Sequence, residues 1–90
     1  MEMDKAFRPK KGIAYRKIQD EMVLVDPAEN TLLRLNETAS LIWDGLEKKN
    51  LSAIVEDVVH TFDVSREVAA QDVAKFMDVL LDKSLVVEAE

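Results

Sequence analysis

Thr31-Leu-Leu-Arg-Leu-Asn-Glu-Thr-Ala-Ser-Leu-Ile-Trp43 contains the point at which the chain changes period. Up to Leu35 the residues alternate, with Thr31, Leu33 and Leu35 on one face and Leu32 and Arg34 on the other, as in a strand with one buried side. From Asn36 onward the spacing is helical: Ala39, Ile42, Trp43 and Leu46 share one face. Asn36 is the expected N-cap, because its side chain can accept from first-turn N–H groups. Glu37 then sits favourably near the positive helix end.

Upstream of this junction the sequence predicts two more strands. Ile13–Ile18 mixes apolar and long charged residues, as a half-exposed edge strand does. After a polar break at Gln19-Asp20, Met22-Val-Leu-Val25 is a short apolar run with β-branched residues. Asp26-Pro-Ala-Glu-Asn30 then supplies a reversal, since Pro27 presets φ and Asn30 tolerates φ > 0. Short connections favour an antiparallel meander.

Downstream, Gly45 weakens the first helix and Lys48-Lys49-Asn50 offers an exit. Ser52 is read as the cap of a second helix carrying Ile54, Val55, Val58, Val59 and Phe62. Asp63-Val64-Ser65 breaks the chain again before a third helix, about Arg66 to Lys83. At 100° per residue Ala69, Val73, Phe76 and Leu80 define its core face. Val68 and Val79 widen that stripe on one flank, and Ala70, Met77 and Leu81 widen it on the other. Leu85-Val-Val87 is expected to seal the core or add a strand. The fold class is α+β and winged-helix-like: a three-stranded antiparallel β-meander followed by three α-helices.

The 90 residues suit one small domain, read as residues 13–90 behind a basic N-terminal arm, residues 1–12. Net charge is −6, unevenly placed. Residues 1–20 carry six basic against three acidic side chains, and residues 21–90 carry six against fifteen. The arm is read as a solvated tail, with a docking segment as the alternative. The acidic remainder offers no cluster of cations for a phosphate backbone, so nucleic acid is not an expected partner. The longest apolar run is four residues, Met22–Val25, far short of the roughly 20 that a membrane helix needs. With no cysteine the chain suits a reducing compartment, and a cytoplasmic location is expected.

Catalysis calls for a nucleophile beside a base, a metal cluster, or paired carboxylates in a cleft. The sole histidine, His60, has Glu56 and Asp57 at helical spacing, a pattern read as a surface residue rather than a metal ligand. Glu67, Asp72, Asp78 and Asp82 are spaced as a solvated helix face, and Trp43 is read as a core anchor. No Gly-rich phosphate loop occurs. The chain is expected to be no enzyme and to hold neither cofactor nor metal.

Helices beside a small sheet also suit a winged-helix DNA-binding regulator. The third helix, however, opens with a nearly neutral set (Arg66, Glu67, Gln71, Asp72, Lys75) instead of a basic recognition surface. A terminal strand of a meander has unpaired N–H and C=O groups, and Thr31–Leu35 is short, apolar and carries one charge. As an edge, it would let an extended peptide pair with it and bury side chains against the third helix. The same edge could pair with its twin, so a homodimer is an alternative, as is a structural subunit docking on an enzyme.

The stretch Leu32–Trp43 also resembles the "LN-x-T-A-x-x-I-W" block of the PqqD-like family. Ser52-Ala-Ile-Val resembles that family's second-helix start, Phe62-Asp-Val64 its "F-D-V" turn, and Asp72-Val73, Phe76-Met77 and Leu80 its third helix. The resemblance covers about residues 13 to 87. Lys83-Ser84-Leu85 stands where the family often has "G-L-L". Pro27-Ala-Glu29 and Ile42-Trp-Asp-Gly45 depart from the motifs of the pyrroloquinoline quinone subgroup, so the chain resembles a general relative.

This resemblance implies a non-catalytic RiPP recognition element. Such an element binds the leader segment of a ribosomally made precursor peptide by strand addition and presents it to a modifying enzyme such as a radical SAM protein. On that reading Leu32, Leu33, Arg34 and Leu35 supply the strand edge, and Asp72, Lys75, Phe76 and Val79 the facing helical wall.

Overall fold

The computed structural model describes residues 2–19 and 21–89. In chain order the elements are β1 (Phe7–Pro9), β2 (Ala14–Ile18), β3 (Glu21–Asp26), β4 (Thr31–Leu35), α1 (Glu37–Gly45), α2 (Leu51–Phe62), α3 (Arg66–Asp82) and β5 (Val86–Glu88). β2, β3 and β4 form a three-stranded antiparallel sheet in that order, and β1 pairs antiparallel with β5 in a second, two-stranded sheet. Of the polar break Gln19-Asp20, Gln19 has φ 58°, and Asp20 lies outside the described residues.

The junction between β4 and α1 folds as its periodicity dictates. Asn36 is the N-cap, and its Oδ1 accepts from the Ala39 N–H at 2.8 Å. The turn before β4 carries Asn30 at φ 53°. Leu24 and Leu35 from the sheet meet Ile42, Trp43 and Leu46 of α1 and the buried faces of α2 and α3 in one hydrophobic core. Tyr15 lies tilted against Trp43, ring centroids 6.3 Å apart.

Three expectations are corrected. The N-terminal segment is not a solvated tail: Phe7 is buried, Met3 packs on the core, and β1 pairs with the C-terminal strand. The cap of α2 is Asn50 rather than Ser52. Its side chain accepts from the Ala53 N–H at 2.9 Å, and the Leu51 and Ser52 N–H groups donate to the carbonyls of Lys5 and Met3. The N-terminal segment thus supplies acceptors that a helix start otherwise lacks. On α3 it is Met77, not Phe76, that joins Ala69, Val73 and Leu80 in the fully buried seam, while Phe76 is half-buried.

Gly45, which weakens α1 on propensity alone, has a packing reason. A Cβ there would stand 3.0 Å from the buried Ile54 side chain, so α1 and α2 approach closely at that point. Helix α3 ends with Ser84 at φ 57° and the Leu85 N–H donating to the Leu80 carbonyl at 2.9 Å, a left-handed cap in which serine stands where glycine is usual. Among the described residues no helix is long and apolar enough to cross a membrane.

Candidate functional site

β4 is an edge of its sheet, bonded to β3 on one side only. Antiparallel partners alternate between hydrogen-bonded and non-bonded pairs. The β2–β3 reversal closes on Ile18↔Glu21 with two residues between them, so that pair is bonded, and so are Arg16↔Val23 and Ala14↔Val25. Met22, Leu24 and Asp26 therefore turn their backbone groups toward β4, where they pair with Leu35, Leu33 and Thr31. The N–H and C=O groups of Leu32 and Arg34 are left pointing away from the sheet. Among the described residues nothing pairs with them.

Side chains follow the same alternation. Leu33 is half-buried and Leu35 buried on the core side, whereas Leu32 is 58% exposed on the outer face. Arg34 also stands on the outer face, with its Nη1 3.7 Å from Glu21 in an exposed pair. Such a pair is worth little in water, so the guanidinium can exchange partners at small cost.

Beside the end of β4, a cleft of about 310 Å³ separates α1 from α3. Asn36, Thr38, Ala39 and Ile42 form one wall, and Asp72, Lys75, Phe76 and Val79 the other. Ile42 is buried at its base and Ala39 keeps the wall low, while Val79 remains 39% exposed. The cleft combines an apolar interior with one acid and one base, which suits an apolar side chain on a hydrogen-bonding backbone.

The four α3 residues predicted as a wall are thus brought together. The four β4 residues do not line this cleft. They lie along the preceding strand, and Leu35 instead faces a second cavity of about 440 Å³ with Met22, Leu41 and Phe62. Sequence reasoning placed Ala39 and Ile42 on a core-facing stripe and missed their place in the cleft wall, together with Asn36 and Thr38. No local signal in the sequence marks them.

Other titratable groups lie apart from the cleft. His60 has an 80% exposed side chain with Nε2 3.9 Å from Glu56. Burial, and next the Asp44 carboxylate, push the Tyr15 phenol above its ordinary pKa. Among the described residues no group of three His, Asp or Glu side chains is placed to hold a metal ion.

Two solved structures share this architecture. "TbiB1 in Complex with the TbiA(beta) Leader Peptide" superposes with a TM-score of 0.79 at 28% identity, covering 88% of this chain and 93% of that one. "Lasso peptide synthetase B1 complexed with the leader peptide" superposes with a TM-score of 0.81 at 24% identity, covering 90% and 96%. This second likeness is one of fold. No curated protein matches the chain. A family model described as "Coenzyme PQQ synthesis protein D (PqqD)" matches residues 21–86, the three-stranded sheet from β3 onward and all three helices, and on that match the chain belongs to the PqqD family.

Proposed function

We propose that this chain is a non-catalytic, winged-helix-like recognition element that binds the leader segment of a ribosomally synthesised precursor peptide. The leader adds as a strand to β4 and inserts an apolar side chain between α1 and α3. Leu32, Leu33, Arg34 and Leu35 form the edge, and Asp72, Lys75, Phe76 and Val79 the facing wall. The bound leader is then presented to a modifying enzyme in the cytoplasm, a radical SAM protein being one such partner. The observation that carries this reading is the unpaired outer edge of β4 beside an apolar cleft. Backbone bonds at such an edge give affinity, and side-chain pockets give selectivity. The leader peptide bound in the 28%-identical structural neighbour supports the same use.

A DNA-binding role has less support. Arg66, the cation at the start of α3, is engaged by Glu56 through Nε at 2.7 Å and through Nη2, which leaves that helix end poor in free positive charge.

The test is selection from a displayed library of the N-terminal segments of all short open reading frames in the source genome. One precursor N-terminus should enrich, and titrating it into 15N-labelled protein should shift resonances of β4 and the Asp72–Val79 face. No enrichment, or shifts confined to other surfaces, would overturn the proposal.

A further inference from the structure

Asp26 is the one buried charged residue among the described residues, 2% exposed at the end of β3. Its Oδ2 accepts from Lys10 Nζ at 2.9 Å and its Oδ1 from the Ala28 N–H at 3.2 Å. The backbone N–H of the same Lys10 donates to the carbonyl of Leu85, at 2.9 Å. Leu85 is fully buried just beyond α3, and its own N–H closes the helix end on Leu80. Asp26 pairs across the sheet with Thr31, the first residue of β4.

One residue of the N-terminal segment therefore joins the two elements proposed to hold the peptide. Its main chain holds the exit of α3, and its side chain holds the turn that launches β4. These two elements have little direct packing to set their separation: α3 packs chiefly on α2, whereas β4 packs on β3 and α1. With Asp26 buried and Lys10 31% exposed, the pair gains little stability, because desolvation of the carboxylate offsets much of the attraction. A fixed distance is what such a pair can supply.

We propose that Lys10 and Asp26 form a strut that sets the separation of the β4 edge from α3, and so act as positioning residues for the peptide. This inference rests on the reading given under Proposed function. It assigns the N-terminal segment a task in binding although it lies outside the cleft.

The test uses the full chain, whose lack of cysteine allows spin labels to be placed only where wanted. Nitroxides on Leu32→Cys and Gln71→Cys, both exposed, report the β4–α3 distance without any peptide. In the double variant Lys10→Met with Asp26→Asn, neither charge is left buried alone. Its distance distribution should broaden while the far-ultraviolet circular dichroism stays that of wild type. Affinity for the library-selected peptide should fall about tenfold if only a tenth of molecules keep the competent separation. Lys10→Arg, which keeps the charge, should hold both readouts near wild type. Should the double variant not hold the fold, Asp26→Asn alone carries the same comparison, because Lys10, 31% exposed, can turn its charge to water.

An unchanged distance distribution in the charge-free variant would overturn the strut, even if its melting temperature fell. Wild-type protein that selects no peptide would instead sink the functional reading, and the label distance, measured without peptide, would still judge the strut.

Discussion

Replacing Val79 by Asp tests the cleft wall without touching the core. Val79 lines the cleft with Phe76 and is 39% exposed, so about two-fifths of its surface remains for a ligand to cover. Full burial of a valine is worth about 1.5–3 kcal/mol, so that remaining fraction corresponds to roughly 0.6–1.2 kcal/mol. Val79→Ala forfeits most of that, about a three- to sevenfold loss in affinity. Val79→Asp further places a carboxylate where the peptide must exclude water, at about 1–3 kcal/mol. Lys75 lies one turn back and recovers only about 0.2–0.5 kcal/mol.

The net expectation for Val79→Asp is about 1–4 kcal/mol, centred on roughly 2.5, which is about seventyfold weaker binding. Fluorescence anisotropy of a labelled, library-selected peptide measures it. Thermal melts should show both variants folded, with a destabilisation of roughly 0.9–1.8 kcal/mol from the three-fifths of Val79 that the domain itself covers, so binding is compared well below the melting range. Val79→Asp binding as tightly as wild type would remove α3 from the binding surface, whatever became of the strand edge.

Three further outcomes are expected. Ser84→Gly should stabilise the domain by about 1 kcal/mol, seen as a higher melting temperature, because it relieves a left-handed residue at the end of α3. Asn50→Ala should cost about 0.5–2 kcal/mol in chemical denaturation while Ser52→Ala costs much less, since only Asn50 caps α2. The third outcome concerns acid stability. The Lys10 hydrogen bond holds the Asp26 carboxyl below its ordinary range, so its stabilising effect is complete above the unfolded carboxylate value, near 4, and fades as pH falls through the lower folded one. Melts taken from neutral to acidic pH should therefore fall less steeply for the Lys10→Met, Asp26→Asn double variant than for wild type.

The parts of this fold that were legible in the sequence are those fixed by local pattern. The alternation Thr31–Leu35 and the helical spacing after Asn36 each admit one physical reading, and the structure follows both. The cap of α2 was not legible, because Asn50 and Ser52 are both good caps and the choice depends on Leu51. That residue is fully buried inside the helix, with its N–H donating to Lys5. The partner lies 46 residues away in sequence, beyond the reach of any local rule.

The same distance hid the N-terminal strand. Three residues ending in Pro9, within a basic stretch, look solvated until Val86–Glu88 is folded against them. On α3 the expected face was off by one residue. Met77 and Phe76 are both apolar, and the flexible methionine fills the seam while the larger ring is left to line the cleft. The α3 wall came from the family resemblance, since the over-wide apolar stripe includes Phe76 and Val79 but neither Asp72 nor Lys75. The α1 wall could not be read, because a small residue such as Ala39 carries no sign of what stands opposite.

Amide hydrogen exchange, resolved residue by residue along β4, bears most directly on the idea that the edge is completed by an incoming strand. In the free protein Leu33 and Leu35, bonded to β3, should exchange slowly, and Leu32 and Arg34, which face outward, should exchange fast. Saturating peptide should slow Leu32 and Arg34 strongly and leave Leu33 and Leu35 little changed. Outward amides that stay fast in the complex, or that are already slow without peptide, would contradict strand addition at β4.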